Sequence, residues 1–274
     1  MKKTGRYCAL VLALIMGGSI LGGCASKKNN QPELSRQEEE EVHYHELVDG
    51  TCSTCGATPK YNVGNYMILG DSYSTYKDYV PIGNPSYYAD FGTAVMDVAK
   101  VEQTWWKILE KNTNANLVLN ESFSGSTICN TGYNSLPCPG TSFIGRYDQL
   151  VENGFLEENE IDTVIIFGGT NDSWAKSPLG ELMYSDWQDW DKYAVLPAFC
   201  YLIDRIQSTI PDVKIVCLVN NGLSYSITQG MVEACEHYGV DCVELKDISK
   251  AEDHPNIEGM IQIEQQMRHV FEEK

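Results

Sequence analysis

The stretch Thr163-Val164-Ile165-Ile166-Phe167, closed by Gly168-Gly169, constrains this fold more than any other part of the chain. A strand with one wet face alternates apolar and polar positions. A continuous β-branched and aromatic run belongs to a strand covered on both faces, as in a parallel sheet with helices on either side. The rest of the chain agrees. Residues 66–69, 116–119, 214–219 and 240–245 read as further strands. Residues 89–112, 193–209, 226–238 and 255–271 have helical apolar spacing. In the first of these, Val95, Val98, Val101, Trp105, Ile108 and Leu109 share a face. The second stops before Pro211, the third is closed by Gly239, and the last has Pro255 near its start. This alternation predicts an α/β fold, a three-layer α/β/α sandwich around a mostly parallel five-stranded sheet.

The first residues stand outside that pattern. Lys2, Lys3 and Arg6 precede an apolar run over 9–21, too short to span a bilayer and of the size of a signal-peptide core. It ends in Leu21-Gly22-Gly23-Cys24, which resembles the bacterial lipobox. The expectation is a lipoprotein signal peptide over 1–23 and a lipid anchor at Cys24. The chain is then exported and held on the outer face of the cytoplasmic membrane. Residues 24–61, with Glu38 to Glu41, read as a polar tether, and 62–274 as one domain. The formal charge of −18 and the lack of a basic stripe exclude nucleic acid as a partner; the acidity is read as solubility.

Ten cysteines are many for an exported chain. Cys129 and Cys138 share a loop-like stretch and could pair. Cys200, Cys217, Cys235 and Cys242 lie in apolar runs and read as buried thiols. His43, His45, Cys52 and Cys55 could close a tetrahedral structural zinc site, with a Cys52–Cys55 disulfide as the competing reading.

In a doubly wound sheet, ligands sit beyond the carboxyl ends of the strands. Gly70-Asp71-Ser72 follows the first strand, and Asn120-Glu121-Ser122-Phe123-Ser124-Gly125 the second. Gly168-Gly169-Thr170-Asn171-Asp172 follows the third, and Asp253-His254-Pro255 lies after the fifth. All four share one edge. A serine hydroxyl needs a base, a histidine serves near neutral pH, and the tetrahedral intermediate needs donors. Ser72 and His254 supply the first two. The Ser72 and Gly125 N–H groups and the Asn171 side chain could supply the third. His43 and His45 fall in the tether, and His237 and His269 within helices.

In order, Ser72, Gly125, Asn171 and His254 resemble the SGNH/GDSL hydrolases over about residue 66 to the C-terminus. The resemblance implies a flavodoxin-like sandwich. Ser72 is then the nucleophile and His254 the base, with an oxyanion hole from Ser72, Gly125 and Asn171. The family often carries an aspartate three residues before the histidine; here that position is Ala251. Glu252, Asp253 or Asp247 could orient His254, or a backbone carbonyl could, leaving a Ser–His dyad. The Gly-x-Ser-x-Gly turn of α/β-hydrolases is missing, with Ser74 two places after Ser72.

The expected function is an extracytoplasmic serine esterase acting on a small-molecule or glycan ester, through a Ser72 acyl-enzyme and without a cofactor. Short O-acyl groups, glycan acetyls among them, are the expected substrates. The other readings are an acyltransferase, a lysophospholipase or lipase, and a noncatalytic glycan-binding lipoprotein. Trp174, Tyr184, Trp187 and Trp190 follow Asn171 closely; they either wall the site or pack a loop core. Trp105 and Trp106 read as core.

Overall fold

The computed structural model describes residues 43–90, 92 and 96–273. The proposed signal peptide, Cys24 and the tether up to residue 42 lie outside them. In chain order the elements are β1 (Leu47–Val48), β2 (Thr51–Cys52), β3 (Asn65–Gly70), α1 (Trp105–Asn112), β4 (Asn116–Ser122), α2 (Phe143–Glu152), α3 (Phe155–Glu158) and β5 (Thr163–Gly168). They continue with α4 (Thr170–Ala175), α5 (Val195–Thr209), β6 (Lys214–Val219), α6 (Tyr225–Tyr238), β7 (Asp241–Glu244), β8 (Lys250–Ala251), β9 (His254–Pro255) and α7 (Ile257–Arg268).

The central sheet has the order β4-β3-β5-β6-β7, and every pairing is parallel. This is the flavodoxin-like winding, with β3 and β5 side by side in the middle. All six β5 residues are buried, so the continuous apolar run does mark a strand covered on both faces. Successive side chains point to opposite faces. Met67, Leu69, Val164, Ile166, Ile215 and Cys217 pack with α2, α5 and α6. Tyr66, Ile68, Ile165, Phe167, Val216 and Leu218 pack with α1 and α7. Each such side chain contributes on the order of 2 kcal/mol on burial, and together they set the register.

Five expectations change. The helix expected over 89–112 is only Trp105–Asn112, capped by the Thr104 hydroxyl and preceded by one 3-10 turn at Val101–Gln103. Met96 and Val98 are buried from irregular backbone. The last helix starts at Ile257, because the Asn256 side chain accepts from the Gly259 N–H and Pro255 belongs to β9. β4 runs on through Asn120, Glu121 and Ser122, whose polar side chains are buried. Residues 43–61, expected in the tether, are ordered and form one compact unit with the domain from His43 on. Cys129 and Cys138 are free thiols and not a pair. Cys200, Cys217 and Cys235 are buried and Cys242 partly so, as expected.

Candidate active site

Strands β4, β3 and β5 end level. Gly70 lies opposite Ser122 on one side and Phe167 on the other, so the chain segments that follow leave one edge together. Gly70 is required there by close approach: a Cβ would lie 2.4 Å from Ser122 Oγ and 2.7 Å from the Ser74 side chain. Beyond it, Asp71 accepts from the Tyr73 N–H at 3.0 Å and the Asp71 carbonyl from the Ser74 N–H at 3.1 Å. This tight turn presents Ser72.

Ser72 Oγ and His254 Nε2 are 2.9 Å apart. Both are largely buried, at 3% and 9% exposure, so water competes little for the bond. The other ring nitrogen, Nδ1, lies 3.0 Å from the Glu252 backbone carbonyl. A carbonyl only accepts, so Nδ1 carries the proton and Nε2 has its lone pair on Ser72. Burial holds His254 below its ordinary histidine range, so the ring is neutral and able to take a proton at neutral pH.

The carbonyl takes that place because of the local backbone. β8 and β9 pair as Ala251↔His254, joined by Glu252 and Asp253 alone. Both have positive φ, 47° and 62°, as a two-residue hairpin of this hand requires. The hairpin is held by the Tyr73 hydroxyl, which donates to the Asp253 carbonyl. Tyr88 OH does the same to the Pro255 carbonyl at 2.8 Å. Tyr87 stacks on the His254 ring at 3.5 Å and 7°. Glu252→Gln and Asp253→Asn should therefore keep near wild-type turnover of an aryl acetate, because neither carboxylate touches the ring. A loss of several orders in either, with melting unchanged, would assign that carboxylate the orienting role.

Asn171 lies in the first turn of α4, just past β5. The Tyr133 hydroxyl donates to its Oδ1 at 2.8 Å, which fixes the amide orientation. Its Nδ2 is buried and has no hydrogen-bond partner among the described residues. A buried donor left unpaired costs roughly 1–3 kcal/mol, a sign of a group kept for something that arrives. Gly125 has φ +85°, and a Cβ there would face open space. Its requirement is the left-handed backbone of the turn.

Sequence reasoning missed the supports of this edge. Arg146 on α2 is fully buried; its guanidinium donates to the Glu121 carbonyl, to the Gly70 carbonyl at 3.1 Å and to Ser126 Oγ at 3.2 Å. One side chain thus ties the ends of β3 and β4 to the turn that carries Gly125. Burial pulls it down to about 10, and the Glu121 carboxylate opposes that. It remains charged. Asp172 accepts from the Ile128 and Cys129 N–H groups at 2.8 and 3.2 Å, fixing the loop beyond Gly125. Burial raises Asp172 to about 6 and Asp71 to about 7. Lys250, half-buried, donates to Asn220 Oδ1 at 3.1 Å and the Asn221 carbonyl at 3.0 Å.

The aromatic residues after Asn171 divide. Trp174 is 41% exposed, with its ring 5.9 Å from that of His254. Tyr184 stacks on His237 of α6, and Trp187 packs against Tyr201 of α5, so those two fasten the loop to the helices and do not wall the site. Trp190 is exposed, and Trp105 and Trp106 are core.

A serine bonded to a neutral histidine at the carboxyl edge of a doubly wound sheet, next to an idle amide donor, is the arrangement of a serine hydrolase. The sequence comparisons narrow that class. The model of the GDSL-like lipase/acylhydrolase family matches residues 65–271, and the chain belongs to this family of ester-bond hydrolases. A crystal structure of a GDSL-like lipase from Bacteroides ovatus is 42% identical, covers 76% of this chain and 98% of its own, and superposes with a TM-score of 0.71. One from Bacteroides uniformis is 38% identical, with 77% and 95% coverage and a TM-score of 0.70. A family-two carbohydrate esterase from Clostridium thermocellum, in complex with cellohexaose, shares the fold at 20% identity, 77% and 64% coverage and a TM-score of 0.51. No curated protein sequence matches the chain.

Proposed function

We propose that this chain is an extracytoplasmic esterase that removes short O-acyl groups, acetyl foremost, from glycans. Ser72 Oγ attacks the ester carbonyl while His254 Nε2 takes its proton. The Glu252 carbonyl holds Nδ1–H and favours the imidazolium that forms. The oxyanion receives the Asn171 Nδ2–H, the Ser72 N–H and the Gly125 N–H. His254 then protonates the leaving alcohol. Water, deprotonated by the same ring, hydrolyses the acyl-enzyme.

The observation that carries the substrate reading is Trp174, a half-exposed indole beside His254. A flat aromatic face open to solvent suits the C–H face of a sugar ring. That a carbohydrate esterase from Clostridium thermocellum, solved in complex with cellohexaose, shares the fold is consistent with this reading. The lipobox-like Leu21-Gly22-Gly23-Cys24 supports anchoring outside the cytoplasmic membrane, where glycan esters lie. Among the described residues no helix is long and apolar enough to cross a membrane.

A panel of acetyl to long-chain aryl esters and acetylated oligosaccharides, run on wild type and Ser72→Ala, tests this. The expected result is Ser72-dependent release confined to short acyl groups, with acetylated sugars preferred and the preference lost in Trp174→Ala. Turnover that rises with acyl length would contradict it and point to a lipase.

A further inference from the structure

One cluster has no part in ester hydrolysis. His43, His45, Cys52 and Cys55 place one nitrogen or sulfur each within 4.8 Å of one another. Cys52 Sγ lies 3.5 Å from His43 Nε2, and Cys55 Sγ lies 3.4 Å from His45 Nδ1. A tetrahedral zinc ion with bonds of about 2.3 Å to sulfur and about 2.05 Å to nitrogen has sulfur–nitrogen edges of about 3.5 Å. The observed pairs have that spacing. Both thiols are free, and each faces an imidazole.

The backbone and the surroundings are built to match. β1 and β2 form a hairpin turned by Asp49 and Gly50, both at positive φ, which returns Cys52 toward the histidines. Past it, the Gly56 N–H donates to the Cys52 carbonyl at 2.9 Å, and Gly56 has φ +74°. This folds Cys55 back beside Cys52. His45 Nε2 lies 3.4 Å from Glu272 Oε1. A carboxylate there keeps the proton on Nε2 and leaves the Nδ1 lone pair toward Cys55, the usual outer support of a metal-bound histidine. The His45 carbonyl accepts from buried Arg268 at 2.7 Å, and Arg268 also donates to Tyr61 OH at 2.7 Å.

We propose that these four residues bind one zinc ion in a closed Cys₂His₂ structural site that closes residues 43–55 on themselves, in the form that His45 holds against Arg268 and Glu272. The hairpin has two strands of two residues each, too small to hold itself in water. A metal with four protein ligands supplies the missing stability and keeps no open position for chemistry.

The test uses the full chain purified without chelator, with metal content by mass spectrometry and thiol state by alkylation under denaturing conditions. The expected result is one zinc per chain and unpaired Cys52 and Cys55. Cobalt(II) exchange should give the intense visible bands and thiolate charge transfer of a tetrahedral sulfur-ligated site. Cys55 is exposed, so Cys55→Ser is the variant least able to disturb packing; it should lose the zinc and melt lower, yet retain aryl acetate turnover. A metal-free wild type with Cys52 and Cys55 joined as a disulfide would overturn the proposal. So would zinc retained at full stoichiometry in Cys55→Ser.

Discussion

Ser72→Ala should lower kcat/KM for an aryl acetate by about four orders of magnitude or more, with the melting temperature little changed. In the proposed mechanism the hydroxyl is the group whose bond to the acyl carbon splits one hard step into two easier ones. Its removal leaves only whatever the donors and the binding surface contribute to direct attack by water. His254→Ala should lose about as much, because an unassisted serine hydroxyl is a weak nucleophile at neutral pH. The double variant should be scarcely worse than either single one, since the two act as a unit. Steady-state kinetics with circular dichroism on all three variants checks this. Additive losses would mean that the 2.9 Å bond between them is structural.

Asn171→Ala should lower kcat by about 10²–10³-fold with KM nearly unchanged, the usual cost of one oxyanion donor. The reasoning rests on the idle, buried Nδ2 and on Tyr133 holding the other end of the amide. In the proposed mechanism the donor meets little in the ground state and a full charge in the tetrahedral intermediate, so the effect belongs on kcat. Tyr133→Phe should give a smaller loss of the same kind, because it frees the amide to rotate without removing it. A rise in KM alone in Asn171→Ala would place Asn171 in substrate binding.

The strands were legible because a buried strand leaves a strong mark. β5 is apolar at every position but its first, and the motif after it stands where the sheet ends. The residues 89–112 misled because Val98, in irregular backbone, and Val101, in the 3-10 turn, are as buried as they would be in a helix. Spacing reports burial, and a loop that crosses the core can imitate a helical stripe. α2 escaped notice for the opposite reason. Its buried face carries Arg146 among Phe143, Ile144, Tyr147 and Leu150, and a charge at a core position breaks the apolar pattern. That Arg146 amid apolar neighbours was the available signal for the brace beneath the active edge. How His254 is oriented was left open by Ala251. The answer depends on two non-glycine residues at positive φ, which no turn signature in Glu252-Asp253 announces. Tyr133 meets Asn171 across 38 positions, a contact that only the folded chain creates.

The central claim is that Ser72 is a nucleophile activated by His254, and covalent labelling tests it most directly. Wild type, His254→Ala and Asn171→Ala would be treated with a fluorophosphonate, and the adduct followed by intact mass and located by peptide mapping. The account predicts a single adduct on Ser72, formed fast in wild type and slowly in both variants. An adduct on another serine, or labelling of Ser72 at an undiminished rate in His254→Ala, would contradict it.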